Sequence, residues 1–335
     1  MSTSLTLKNA SESGFVCGCI EEARSACTGE PFYGEHGGKR YCVLHFPGKE
    51  KTVPFKEAFQ AKLENKDFHF RGVWFPDEIS FVGAELGGVV NFNGAQFNAE
   101  ANFSGATFNA LADFSGAGFN AEANFSGATF NAKANFYLAK FSERAYFSGA
   151  IFSAEANFYL AKFSSANFDR ATFTAEANFF DATFNERAYF ILARFSAEAD
   201  FFGATFSAQA YFSSVTFGDY VRFGGSESKS VFTDKSSLDL QFARIEKADH
   251  ISFHTLTLRP QWFVNVDARK FDFTNVRWNW RHINEDLEGL KFTSVDARYV
   301  VRSLRGEVTS ARRSEPHALL GIRMRPSQIS GIFSA

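Results

Sequence analysis

Residues 101–130 read ANFSGATFNALADFSGAGFNAEANFSGATF, and the spacing of Phe in this stretch decides the fold. Phe103, Phe108, Phe114, Phe119, Phe125 and Phe130 follow one another at steps that alternate between five and six residues. The same ladder runs back to Phe70, Phe75 and Phe81, with Leu86 filling one rung, and forward to Phe223. One step, from Phe163 to Phe168, is five where six is due, after which the alternation resumes. Two residues before almost every rung stands a small residue, as at Ala101, Ala106, Ala112, Ala117, Ala123 and Ala128, so the unit is A-x-F.

An eleven-residue period also suits a right-handed helical supercoil. On a helix, however, a five-residue step at about 100° per residue turns a side chain by about 140°, which throws successive Phe onto opposite sides. The Gly of SGAT and SGAG and the many Asn are also poor helix formers. In extended chain, residues two apart share a face, so each Ala and its Phe point inward together while Asn, Thr, Ser and Glu point outward. The β reading therefore holds.

These residues resemble the pentapeptide-repeat family, whose motif centres on A-(D/N)-L/F-x-x. The resemblance spans Phe70 to Phe223 and continues more weakly through Asp239-Leu240-Gln241-Phe242, Ile245, Ile251 and Leu256. It implies an all-β solenoid, a right-handed quadrilateral parallel β-helix. The sequence departs from the family's five-residue face by adding one residue on alternate faces, so coils of about 22 residues and a cross-section closer to a rectangle are expected. Residues 22 apart then stack at about 4.8 Å. That places Asn98 under Asn120, Asn102 under Asn124, Asn109 under Asn131, Glu122 beside Arg144 and Lys140 beside Lys162.

Composition agrees with a repeated interior. The chain has 335 residues, of which 44 are Phe against 4 Trp, 9 Tyr and 2 Met. With 45% hydrophobic and 21% charged residues it can bury a large core, which excludes wholesale disorder. The balance of 35 basic and 37 acidic residues excludes a nucleic-acid-coating polycation. No run approaches a membrane span. The start, MSTSLTLKNASESGF, lacks a basic stretch followed by an apolar one, so a cytoplasmic location is expected.

All four cysteines lie in FVCGCIEEARSACTGEPFYGEHGGKRYCVLH, residues 15–45. The pattern Cys17-x9-Cys27-x14-Cys42-x2-His45 offers the four thiolate or imidazole ligands that a tetrahedral zinc takes, with Cys19 as a spare. Spacing alone does not choose between Cys17 and Cys19, and it leaves disulfides or unligated thiols as alternatives. The closing YCVLH resembles that of small C-C-C-H zinc modules found ahead of pentapeptide repeats, which implies a closed, structural zinc site. A metal would supply stability that so few residues cannot draw from a core.

The expected organisation is a zinc-type module at 1–52, an amphipathic capping helix at 53–67 carrying Phe55, Phe59 and Leu63, and the regular β-helix at 68–223. A Gly/Ser-rich break follows at 224–238, then irregular coils closed by Trp262, Trp278 and Trp280 at 239–299, and an Arg-rich, partly disordered tail at 300–335. No nucleophile elbow, P-loop, G-x-G-x-x-G or H-E-x-x-H occurs, and His250 and His254 read as solvated or capped. A packed Phe interior leaves no room for a small-molecule substrate.

A non-enzymatic scaffold that contacts another protein, or a second copy of the chain as a homodimer, is the first functional expectation. The second follows from the resemblance: some pentapeptide-repeat proteins imitate duplex DNA and protect DNA gyrase or a related topoisomerase from inhibitors. Residues 92–223 carry 12 acidic and 8 basic side chains, a net charge of −4, which is sparse beside one phosphate per about 1.7 Å of duplex. Lys39, Arg40, Lys49 and Lys51 would be the basis of a third, nucleic-acid contact through the module, though a solvated basic surface accounts for them as well.

Overall fold

The computed structural model describes residues 15–279, apart from residue 28 and residues 227–230, 248–249, 264–265 and 267–270. The tail expected at 300–335 and Trp280 lie outside the described residues.

Sequence periodicity becomes parallel pairing in a β-solenoid of about nine coils. One coil carries the two-residue strands Gln96–Phe97, Ala101–Asn102, Thr107–Phe108 and Ala112–Asp113, one on each of four faces. The next coil repeats them in register, with Phe97 opposite Phe119, Ala101 opposite Ala123, Phe108 opposite Phe130 and Ala112 opposite Ala134. Each partner is 22 residues on, the expected coil length. The outward ladders follow: Asn120 Nδ2 donates to Asn98 Oδ1 at 2.8 Å, Asn131 repeats this on Asn109 at 2.8 Å, and Lys140 lies beside Lys162.

Inside, the rings form four columns. Phe114, Phe136 and Phe158 stack at 5.0 and 4.9 Å with interplanar angles of 2° and 3°. Phe125 and Phe147 do the same at 4.9 Å and 2° in another column, and the two columns meet edge to face, Phe114 against Phe125 at 5.3 Å and 87°. Parallel and perpendicular contacts thus alternate across the interior, the geometries that ring quadrupoles favour. Two residues before each Phe, a buried Ala leaves room for the facing ring, and the whole set is closed to solvent.

Between faces the chain turns tightly. Ala106 N–H donates to Phe103 O at 3.1 Å, and Gly105 between them has φ +66°. That left-handed place suits Gly. Later coils put Leu138, Leu160, Asp181 and Leu192 there instead, at φ between 53° and 60°, a strain of about 1 kcal/mol or more each that the surrounding ladders sustain.

The one short step is absorbed at a corner. Phe141 pairs Phe163, but Arg144 pairs Ser165, so one residue is lost between these points. The coil across this corner is 21 residues long, as Phe152 opposite Phe173 shows, and Phe173 opposite Phe195 restores 22. Phe163 still stacks on Phe184 at 5.1 Å, so the deletion leaves the interior intact. A longer irregularity follows Phe223: its next rung is Phe232, nine residues on, which stacks on Phe206 at 5.6 Å.

Both ends of a solenoid expose strand edges, a template for unwanted pairing. At the start, helix α1 (Thr52–Glu64) lays Phe55 and Phe59 over the first coil, with Phe55 at 5.5 Å from Phe75 and Phe59 at 5.4 Å from Phe70. Asn98 and Asn120 donate N–H groups to Phe75 O and Phe97 O one coil back, and the equivalent place in the first coil is Pro76, which has no N–H to leave unpaired. Toward the far end Trp262 packs on Phe232 at 5.1 Å and Trp278 on Phe273 at 5.3 Å.

Truncating one mid-column ring, Phe125→Ala, is expected to cost about 3–5 kcal/mol, read as a lowered denaturation midpoint. A loss below about 1 kcal/mol would mean that this side chain is not sealed in the interior.

Candidate metal centre

The N-terminal segment folds by brief local devices. Strands β1 (Phe32–His36) and β2 (Lys39–Cys42) form a hairpin whose two linking residues, Gly37 and Gly38, both have positive φ, 57° and 74°, as a tight mirror-image turn requires. β2 ends on Cys42. Phe46 N–H then donates to Cys42 O at 3.0 Å, a single turn that brings His45 back beside Cys42. Gly18 N–H donates to Arg40 O at 2.6 Å and pins the Cys17 loop to the hairpin, while Cys27 closes the 3-10 turn Glu21–Cys27.

These devices bring Cys17, Cys27, Cys42 and His45 together, their ligand atoms all within 4.8 Å of one another and all four side chains buried. Cys17 Sγ and Cys42 Sγ are 3.7 Å apart, and Cys42 Sγ is 3.3 Å from His45 Nδ1. A tetrahedron with metal–sulfur bonds of about 2.3 Å has sulfur–sulfur edges of about 3.8 Å, so the separation fits four ligands around one ion. It is far beyond the roughly 2.05 Å of a disulfide, and all four cysteines are free. Cys19 is only partly buried and borders the cluster without joining it.

Groups around the cluster orient it. His45 Nε2 lies 2.9 Å from Arg71 O, so Nε2 carries a proton and Nδ1 is the nitrogen that faces the sulfurs. Cys42 N–H donates to Cys17 Sγ at 3.4 Å, a contact that favours thiolate. Hydrogen bonds from Cys19, Cys27 and Cys42 hold the Cys17 thiol well below the ordinary thiol range, whereas the same crowding, from Cys17, Cys19 and Cys42, pushes Cys27 up. Burial opposes charge on His45, but hydrogen bonding to Cys17, Cys19 and Cys42 outweighs it and pushes the imidazole up to about 12. Before a metal enters, the cluster therefore holds protons that the metal must displace.

The cluster is seated on the solenoid. Trp74 N–H donates to Leu44 O at 3.0 Å, as Gln96 does to Val73 O and Gly118 to Ala95 O at 2.8 Å within the coils. Leu44, between two of the clustered residues, thus provides the ladder acceptor that a preceding coil would have given. Gly72, at φ +66°, passes so close that an added Cβ would lie 2.9 Å from Ala23 Cβ. Lys62 Nζ of α1 reaches Ala26 O at 3.2 Å.

Of the basic residues considered for nucleic acid, Lys51 is fully buried, which corrects its reading as solvated surface. The Arg40 guanidinium sits over Phe32 at 4.3 Å, and Lys39 and Lys49 are exposed. His250 is 3.2 Å from Asp219 Oδ1 and His254 2.9 Å from Thr255 Oγ1, so each has a local partner. A shallow notch of about 540 Å³ opens at the shortened corner, between exposed Arg144 and Arg187 and over Ser165 and Asn167. No helix among the described residues is long and apolar enough to cross a membrane.

The repeats match a family model described as pentapeptide repeats (9 copies), at residues 70–118, 81–129 and 114–162. No curated protein matches the chain significantly. With the A-x-F unit, the parallel ladders and that match in agreement, residues 70–162 are pentapeptide repeats within a β-solenoid.

Proposed function

We propose that the chain is a non-enzymatic, cytoplasmic scaffold that holds a protein partner against the flat faces of its solenoid, with a structural zinc ion closing the N-terminal end. The observation that carries the scaffold reading is the interior, filled along its length by buried Phe and Ala and leaving the chemistry to the outside. On one face Tyr137, Tyr159, Phe180 and Phe202 form an outward, half-buried row at 5.4, 5.5 and 5.6 Å. Aromatic anchors of this kind dominate protein contacts.

Zinc is supported by the donor set, by edges that match its tetrahedron, and by a closed site with four protein ligands, which is the structural rather than the catalytic arrangement. Reducing surroundings keep such thiols available. Imitation of DNA is disfavoured by pairing between coils: Glu122 with Arg144, Glu155 with Lys133, Asp200 with Arg222 and Asp219 with Lys247. Exposed pairs of this kind add little to stability, but they break up the negative field a duplex mimic needs.

One zinc per chain by elemental analysis, lost in Cys27→Ser, is the expected result; a metal-free chain with an intact N-terminal segment would refute the zinc reading. Because His45 and Cys27 must lose protons, affinity should rise between about pH 6 and about pH 8 in a chelator competition, and a flat profile would contradict that protonation. For the scaffold, a partner captured by the intact chain should be lost with Tyr159→Ser and Phe180→Ser together while circular dichroism is unchanged. Inhibition of gyrase supercoiling at micromolar concentration would instead put the DNA-mimicking reading first.

A further inference from the structure

Lys51 breaks two rules at once. It is fully buried, and among the described residues no carboxylate pairs with it. It is also the N-cap of α1, where it makes no side-chain cap, and no acidic residue stands in the first turn. A cation there opposes the helix dipole, and Ser, Thr, Asp or Asn would satisfy the free N–H groups better. Burial pushes Lys51 down to about 7, so holding it as an ammonium at neutral pH needs a negative centre close by.

The structure offers one. Lys51 Nζ donates to Leu44 O at 2.8 Å, and Leu44 lies between Cys42 and His45 in the chain. Phe55 and Trp74 rings, at 4.6 and 5.4 Å from Nζ, close off the rest of its surroundings. The other anionic neighbour, Glu50, is exposed and weakly felt. A divalent ion held by three thiolates and a neutral imidazole leaves a net charge of −1, which one ammonium offsets.

We propose that Lys51 is the counter-ion of a three-thiolate, one-imidazole metal centre, tuning its affinity and tying metal occupancy to the seating of α1 on the first coil. The inference rests on the metal reading above and adds to it a residue that binds no metal. Lys51 is a positioning and charge-balancing residue, so removing its charge should weaken the metal without removing a ligand. The thiolates and Lys51 then stabilise each other: without the ion the buried cation loses its balance, and without the cation the third thiolate is harder to form.

The test uses the full-length chain and Co²⁺ and Zn²⁺ as probes. Wild type should give the tetrahedral cobalt spectrum with thiolate charge-transfer bands; if it binds neither ion, the metal reading and this inference fall together. Given binding, Lys51→Gln should lower zinc affinity by about 10-fold or more in a chelator competition. It should also shift the pH dependence of binding upward, because the last thiol is harder to deprotonate. Lys51→Arg, which keeps the charge, should recover most of the affinity. Phe59→Leu, which loosens the packing of α1 on Phe70 but removes no charge, should stay within about 2-fold of wild type. Unchanged affinity and pH profile in Lys51→Gln would overturn the inference while leaving the metal reading standing. Equal losses in Lys51→Gln and Phe59→Leu would overturn it too, since docking alone would then account for both.

Discussion

Everything in the solenoid depends on the fit of a phenyl ring to the spacing of parallel strands. Neighbouring backbones in a ladder sit about 4.8 Å apart, and the stacked rings sit at 4.6 to 5.2 Å through the regular coils, widening to 5.6 Å between Phe195 and Phe217. A ring in every coil therefore lands directly on the one below when the backbone repeats in register. This accounts for the heavy use of a single hydrophobe: a Leu can fill a rung, as Leu86 does opposite Phe108, but a flat ring also stacks on its neighbour at this spacing and meets the adjoining column edge-on. Each buried ring contributes roughly 1.5–3 kcal/mol gross, most of it offset by chain entropy. Each coil touches only its neighbours, so order must propagate from end to end rather than radiate from one centre.

That dependence makes the ends decisive. The first coil has no predecessor to stack on, and the N-terminal segment replaces one in three ways. Rings of α1 cover Phe70 and Phe75, Leu44 O stands in for a ladder acceptor, and Pro76 removes a donor that would have had none. The segment that does this is too small to hold itself together through a core, which is why the cysteine and histidine cluster sits there and not elsewhere. The cysteine and histidine cluster and the solenoid cap are in this sense one structure.

Much of the fold was legible because the period is dense. Phe spacing excluded helix, gave the 22-residue coil and located the short coil at Phe163, since each of these is a statement about side-chain direction in extended chain. Phe55, Phe59 and Leu63 marked the capping helix for the equivalent reason at helical spacing. Cys27, Cys42 and His45 were legible from ligand chemistry, whereas the choice of Cys17 over Cys19 needed three dimensions, because both flank the same glycine and only the hairpin contact at Gly18 decides which sulfur turns inward. Lys51 was misread as surface because charge ordinarily means solvent; the available warning was that a lysine before TVPF is a poor helix start. The left-handed Leu138, Leu160 and Leu192 also escaped notice, since a turn forced by ladders on both sides overrides the preference of the residue within it.

Excision of one coil tests the account most directly. Removing residues 103–124, a full 22-residue period, joins Asn102 to Phe125 in the same register, so the shortened chain should express in soluble form with its circular dichroism spectrum unchanged in shape and a melting temperature within a few degrees of the parent. Keeping the full length but replacing Phe114, Phe125 and Phe136 by Ser opens the stacked interior and should abolish cooperative melting. If the excised chain and the triple Ser variant behave alike, whether folded or unfolded, the stacked rings are not what holds this protein together.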